Sequence, residues 1–452
     1  MIKPNKIIIV GGNAAGPAAA AKVKRIAPNA DIVMFEASNF ISTGTCELPY
    51  VLSGEIKKYE DIIFYDPDKF EKEKGVKVFV NHLVEKIDRK NKIIFVRNIN
   101  LQTTFGKKYD RLILATGSRA KKIPGFSSEL KNVFTLKSIG DLISIQSYLR
   151  NNSVKNILIV GSGYIGLETA DALKKLGYNV SLLEKESSPM PGSEVEIQHL
   201  ISDILEKNNI EFFEGADAVK YNKKDDKIIS VKIAGRISDF DLIITAIGFE
   251  PNNDLAVVAK LELGKYGGLK VNNKLQTSDP NIFAAGDNIE VINKITGQYE
   301  YIPLATLAQK YGHIAGENAA GGNVFVSPVV KNIGVKIFDK YLVMVGINSL
   351  QAKLKNINFI SVTAVVPNLV KVMPHSQNVF GKILIEKRSK LIIGACFLGG
   401  NEVSGYGDLI ASFINNKTKA DELAKINYNY TPPLSPFVNL LSVLGRKINT
   451  EL

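Results

Sequence analysis

The run Asn156-Ile157-Leu158-Ile159-Val160-Gly161-Ser162-Gly163-Tyr164-Ile165-Gly166 carries an apolar strand straight into a G-x-G-x-x-G loop. A helical stretch follows to Leu176, Gly177 stops it, and a second apolar strand, Asn179 to Leu183, ends on Glu184. Strand, glycine loop, helix, strand and terminal acid are the parts of a dinucleotide-binding βαβ unit. The first glycine permits the tight turn, the second lets backbone approach a pyrophosphate, and the third lets helix and strand pack closely. The helix N-terminus attracts the anion, and Glu184 can accept hydrogen bonds from a ribose diol. A carboxylate there repels a 2′-phosphate, which favours NADH; the adjacent Lys185 leaves NADPH open.

The same pattern opens the chain. Lys6-Ile7-Ile8-Ile9-Val10 precedes Gly11-Gly12-Asn13-Ala14-Ala15-Gly16, an alanine-rich helix runs from Pro17 to about Ile26, and the strand Ala30 to Phe35 ends on Glu36. Asn13 stands where the middle glycine belongs. Asparagine tolerates left-handed backbone better than most residues, so the loop is expected to survive. For one copy, a plain glycine-rich turn is the alternative reading. Two copies, each on its own βαβ pattern, point to two dinucleotide sites in an α/β chain.

Outward from these units lie short strands ending in small-residue turns. Tyr109 to Leu114 runs into Ala115-Thr116-Gly117-Ser118, and Asp241 to Thr245 into Ala246-Ile247-Gly248. Thr277 to Ala284 leads through Ala285-Gly286 to Asp287, which either meets a ligand hydroxyl or caps an ordinary turn. Pro124-Gly125 and a helix-like stretch from Ser138 to Leu149 read as a connector. From about Pro328 the character changes: strands at Gly334–Phe338, Tyr341–Gly346, Phe380–Ile385 and Leu391–Phe397 alternate with helices and carry no glycine loop. That reads as an α+β interface domain.

At 452 residues and 45% hydrophobic content the chain can form two or three domains with a large core. No apolar stretch is long enough to span a bilayer, and Met1-Ile2-Lys3-Pro4-Asn5-Lys6 leads directly into a strand, which leaves no room for a signal peptide. The net charge of +12 is spread over scattered lysine pairs rather than one basic block, so neither nucleic acid nor a membrane surface is expected as a partner. The two cysteines lie far apart and suggest a reducing, cytoplasmic setting. Cys396 sits in an apolar strand and reads as packing. Cys46 lies in Ser42-Thr43-Gly44-Thr45-Cys46-Glu47-Leu48-Pro49-Tyr50, a turn leading into a short helix. A helix N-terminus lowers a thiol pKa and would make Cys46 a nucleophile.

With these two units, the two turns and Cys46, the chain resembles the pyridine nucleotide-disulfide oxidoreductases over essentially its whole length. It is similar to their single-cysteine branch: coenzyme A-disulfide reductases, NADH oxidases, NADH peroxidases and NADH-dependent persulfide reductases. The position that carries a second cysteine in the glutathione-reductase type is Val51, and Tyr430-Thr431-Pro432-Pro433 resembles the branch's Tyr-Ala-Pro-Pro segment.

The resemblance implies two Rossmann-like domains, the second inserted in the first, and a C-terminal α+β dimerisation domain: 1–117 with 249–327 for FAD, 118–248 for NAD(P)H, and 328–452 for a homodimer contact. FAD would rest on Gly11, Gly12, Gly16 and Glu36, with Thr116, Gly117, Gly286 and Asp287 along its ribityl side and Pro303, Leu304 and Ala305 at the pyrimidine. NAD(P)H would rest on Gly161, Gly163, Tyr164, Ile165, Gly166, Glu184, Lys185 and Gly248. Glu168 falls where the branch places a carboxylate near the nicotinamide, Ser42 matches a serine of the coenzyme A-disulfide reductases, and Tyr430 would reach the partner's Cys46. The departures are Glu47 after the cysteine, whose charge would raise the thiolate pKa if it faced the sulfur, Leu434 for a second tyrosine, no tyrosine around Val372-Met373-Pro374, and Ala14 for the peroxidase histidine. The expected activity is NAD(P)H-dependent reduction of a disulfide, persulfide or polysulfide, with coenzyme A as a candidate ligand. The alternatives are an NADH oxidase working through a sulfenic acid and a slow redox-sensing flavoprotein.

Overall fold

The protein is described by a computed structural model covering residues 4–123, 125–127, 129–215, 220–233 and 235–451. Pro124 of the expected connector and the start of the Met1–Lys6 segment lie outside the described residues. The β-branched, apolar strand Lys6–Val10 sits centrally in a parallel five-stranded sheet, between Asp31–Phe35 and Arg111–Leu114. Lys77–Phe79 flanks the second strand, and Ile282–Ala284 closes the far side against Arg111–Leu114. A strand from far along the chain thus completes the first sheet.

A second five-stranded parallel sheet repeats the arrangement, with Asn156–Val160 between Asn179–Leu183 and Leu242–Thr245. Glu211–Phe213 and Val133–Thr135 form its edges. Both central strands are buried on both faces, as parallel strands covered by helices must be. The repeat extends to polar detail at the sheet bases. Asp110 Oδ2 accepts from the backbone N–H groups of Asn5 and Lys6 at 2.9 Å each, and Asp241 Oδ2 accepts from Lys155 and Asn156 at 2.8 and 2.9 Å.

The helices Ala15–Ile26 and Ala305–Ala319 cross almost backbone to backbone. A Cβ at Gly312 would lie 2.3 Å from the Ala15 carbonyl oxygen, and one at Gly316 would lie 2.4 Å from that of Ala19. This contact ties residues after 304 to the first glycine loop.

The C-terminal part is a five-stranded antiparallel sheet in the order Asn332–Ile337, Lys340–Gly346, Ile392–Gly399, Asn378–Glu386, Phe359–Pro367. The helices Val403–Asn416 and Leu440–Glu451 bury their apolar stripes in its core. Sequence reading found four of these strands and missed Phe359–Pro367. It also missed a small three-stranded sheet built from Lys220–Lys224, Lys227–Ile233 and Arg236–Asp239, whose strands are rich in charge. Among the described residues, no helix is long and apolar enough to cross a membrane.

Candidate active site

Two glycine loops leave the C-terminal ends of the central strands in matching geometry. Gly11 (φ +107°) and Gly161 (φ +106°) adopt backbone that other residues rarely reach. A Cβ on Gly11 would lie 2.1 Å from the Ala115 carbonyl oxygen, and one on Gly161 would lie 2.5 Å from that of Ala246. Gly16 and Gly166 press so close that a Cβ would lie 1.8 and 2.0 Å from the carbonyl oxygens of Gly11 and Gly161. Neither following helix has a side-chain cap. Their first N–H groups therefore remain available to an anion. Gly163 faces open space, as do Gly117 and Gly248, which have left-handed backbone at the ends of their turns.

The terminal acids of the two units hold their loops. Glu36 accepts from the Gly12 N–H at 2.7 Å and the Ser38 N–H at 2.8 Å. The buried Glu184 accepts from the Ser162 N–H at 2.9 Å, the Ser162 hydroxyl at 2.8 Å and the Lys185 N–H at 2.8 Å. Asn13 differs from expectation: it is not left-handed. Its Oδ1 instead accepts from the Thr43 N–H at 2.9 Å and the Thr43 hydroxyl at 3.2 Å, fastening the first loop to the strand Ile41–Thr43 that leads to Cys46. Ser42 in that strand is left-handed (φ +49°), and its N–H donates to the Gly12 carbonyl at 2.8 Å.

Cys46 lies in the 3-10 turn Thr45–Glu47, just before the helix Leu48–Leu52, and is exposed. The lowering expected from the helix N-terminus is not found. Burial raises the thiol above its ordinary value, Glu47 adds to the rise as its charge implied, and Glu168 and Asp287 add further, against Lys137. The short helix beyond Glu47 contributes too little field to offset three carboxylates. The same causes show that residues from distant parts of the chain share the thiol's electrostatic surroundings: Asp287 from the first unit, Glu168 from the second and Lys137 from the connector.

Asp287 accepts from the Ser118 hydroxyl at 2.8 Å and lies 3.7 Å from the Lys137 ammonium, which also sits 4.1 Å above the Phe249 ring. Burial and the charge of Asp287 raise the phenols of Tyr164 and Tyr301. The Tyr301 hydroxyl is buried beside the Ser118 hydroxyl. The helix Ala305–Ala319, with Leu304 as its extended, uncapped first position, opens toward solvent at Ala305.

Glu168 sits where three parts of the chain meet. Tyr50, from the Cys46 segment, donates its hydroxyl hydrogen to Glu168 Oε1 at 3.2 Å, and the N–H of Lys336, from the C-terminal sheet, donates at 3.4 Å. Both bonds favour the carboxylate, yet burial outweighs them and raises the pKa to about 7. Sequence reading missed Tyr50 and Lys137. It also missed Asp110 and Asp241, although Tyr109-Asp110 and Phe240-Asp241 stand at equivalent places before the paired strands. Tyr430 is 48% exposed and packs edge-on against Phe437, with ring centroids 5.3 Å apart; no hydrogen bond or ring contact joins it to the Cys46 segment. Cys396 is buried, as expected.

Two βαβ nucleotide units and an antiparallel C-terminal sheet, with an exposed thiol on a segment tied to both units, define a two-nucleotide oxidoreductase. Residues 5–312 match the family described as pyridine nucleotide-disulphide oxidoreductase, and the chain belongs to that family. A protein of Methanocaldococcus jannaschii named NADH oxidase is 32% identical over 431 residues, 95% of each chain. One of Staphylococcus aureus named coenzyme A disulfide reductase is 28% identical, covering 98% of this chain and 99% of its own. The structure of an NAD-dependent persulfide reductase from A. fulgidus superposes with a TM-score of 0.94 at 29% identity, over 99% of this chain and 83% of that one. Membership implies FAD and a pyridine nucleotide, and the residues present fit both: only glycine fits at Gly11, Gly16, Gly161 and Gly166, Gly163 leaves open space for a ligand to approach the backbone, and the helix N-termini are uncapped.

Proposed function

We propose that the chain is an FAD-dependent NAD(P)H oxidoreductase that reduces a disulfide, persulfide or polysulfide through Cys46. The observation that carries this reading is that the segment around the exposed Cys46 is tied to both nucleotide units, by Thr43 to Asn13 of the first glycine loop and by Tyr50 to Glu168 of the second unit. In it, 1–117 with 249–327 form the FAD domain, 118–248 the NAD(P)H domain and 328–452 the dimerisation domain. Gly11, Gly12, Gly16 and Glu36 hold the adenosine pyrophosphate of FAD; Thr116, Gly117, Gly286 and Asp287 hold its ribityl side. Pro303, Leu304 and Ala305 present a helix N-terminus where negative charge gathers. Gly161, Gly163, Tyr164, Ile165, Gly166, Glu184, Lys185 and Gly248 hold the pyridine nucleotide.

Bound FAD supplies the two-electron relay from NAD(P)H to sulfur. The chain supplies the thiol and the protons. Deprotonated Cys46 attacks one sulfur of the acceptor; a new S–S bond forms, the old one breaks, and a thiolate or hydrosulfide leaves. A two-electron reduction of the mixed disulfide or persulfide then returns the Cys46 thiolate. Glu168, whose carboxyl burial pushes up to about 7, can hold a proton and return it to the leaving sulfur. Ser42 lies one short strand before the thiol, and Tyr430 completes the pocket from the partner chain of a homodimer. Coenzyme A is the proposed thiol carrier.

Cys46→Ser tests the role: disulfide and persulfide turnover should vanish while NADH still bleaches the flavin absorbance. Undiminished turnover would refute it. A second reading, an NADH oxidase, is favoured by the 32% identical M. jannaschii relative. Oxygen uptake compared with thiol release at equal NADH consumption separates the two.

A further inference from the structure

The segment that follows Glu184 does more than connect to the next helix. The Met190 N–H donates to the Ser162 carbonyl in the second glycine loop at 3.0 Å, while Ser162 itself binds Glu184. Four residues later the same segment is gripped by the C-terminal part of the chain. Asn348 donates its side-chain N–H to the Gly192 carbonyl. Glu194 Oε1 accepts from the Ser349 N–H at 2.6 Å, and Glu194 Oε2 pairs with the Lys382 ammonium at 2.7 Å. Lys382 also binds both oxygens of Glu196 at 2.9 Å. Glu194 is the first position of the helix Val195–Lys207, where its carboxylate could cap its own helix; it does not. Its side chain is 5% exposed and that of Lys382 is 8%. Charges buried this deeply must stay paired, so the pair is held in one geometry.

We propose that Lys382, with Asn348, is a positioning residue for the pyridine nucleotide: the C-terminal domain clamps residues 190–196 and thereby fixes the glycine loop and Glu184 in their binding geometry. The inference rests on the reading of Gly161 to Gly166 as the NAD(P)H site. A device of this kind acts on nucleotide affinity and leaves the sulfur chemistry alone.

Two variants of the holoprotein test it. Lys382→Gln/Glu194→Gln removes both buried charges together and keeps amide groups that can still bond. Asn348→Ala removes the second tether without touching a charge. Titration with NADH and NAD⁺, read by ligand-induced thermal shift and by KM, should show affinity weakened about tenfold in the double variant and less in Asn348→Ala. The turnover number at saturating nucleotide and the flavin spectrum should stay those of the parent, and Lys382→Arg should recover most of the affinity. Unchanged affinity in both folded variants would overturn the proposal. So would a parallel loss of FAD, which would show a merely structural tie. If the parent itself fails to bind either nucleotide, the reading of the glycine loop falls instead.

Discussion

Glu168→Gln isolates the electrostatic cost at the junction of the three parts. The carboxyl pKa rises from an ordinary 4.5 to about 7, chiefly by burial. That shift corresponds to about 3 kcal/mol disfavouring the ionised form in the folded chain, taken as an upper bound because the group is not sealed from water. The sign follows from proton counts. Below pH 4.5 both states are protonated. As pH rises, the unfolded chain releases its proton first while the folded chain keeps it, so this carboxyl withdraws stability progressively up to about pH 7 and no further. Glutamine is isosteric, and its amide oxygen can still accept from Tyr50 and Lys336. The variant should therefore match the parent near pH 4.5 and gain on it toward pH 8.5, by as much as about 3 kcal/mol. Denaturant unfolding of parent and variant across that range reads the difference directly, since every other titrating group is common to both. Parallel stability curves would refute the assignment of a raised pKa to Glu168.

Gly161→Ala places a Cβ against the Ala246 carbonyl and forces left-handed backbone on alanine; we expect a cost of about 2 kcal/mol or more, read as a higher KM for NAD(P)H with flavin content unchanged. Asn13→Ala removes two hydrogen bonds to Thr43; FAD should be released at lower denaturant, consistent with about 1–2 kcal/mol, as followed by flavin fluorescence. Glu47→Gln removes one of the charges that raise the Cys46 thiol; alkylation by iodoacetamide at pH 7.5 should accelerate, with the buried Cys396 unreactive in both proteins. Equal alkylation rates would mean that Glu47 does not act on the sulfur.

Glycine loops are legible in sequence because their requirement is steric and local: only hydrogen fits where Gly11 and Gly16 meet neighbouring carbonyls. Terminal acids are legible for the same reason, being fixed in register by the strands they end. Cys46 is legible from its company, and Glu47 beside it points to a raised thiol, but the burial that raises it most is tertiary, and Glu168 and Asp287 come from segments more than a hundred residues away. No local pattern carries that sum of charges. Asn13 was expected to rescue the loop through its backbone, whereas its side chain does the work by reaching Thr43. The small sheet built from Lys220–Lys224, Lys227–Ile233 and Arg236–Asp239 escaped notice since charged strands lack a clean alternation of polar and apolar residues, whereas Phe359–Pro367, apolar and β-branched, carried a strand signal that was passed over.

The glycine-to-alanine crossing of the helices Ala15–Ile26 and Ala305–Ala319 bears on how the chain assembles as it leaves the ribosome. Strands at 133–245 contain everything the second sheet needs, so that sheet can close early. The first sheet must wait for Ile282–Ala284, and the helix that crosses its opening helix arrives only when Gly312 and Gly316 emerge. Synthesis therefore begins the first unit and finishes it only after the inner one is complete, which leaves the N-terminal glycine loop dependent on the last-made third of the nucleotide-binding region.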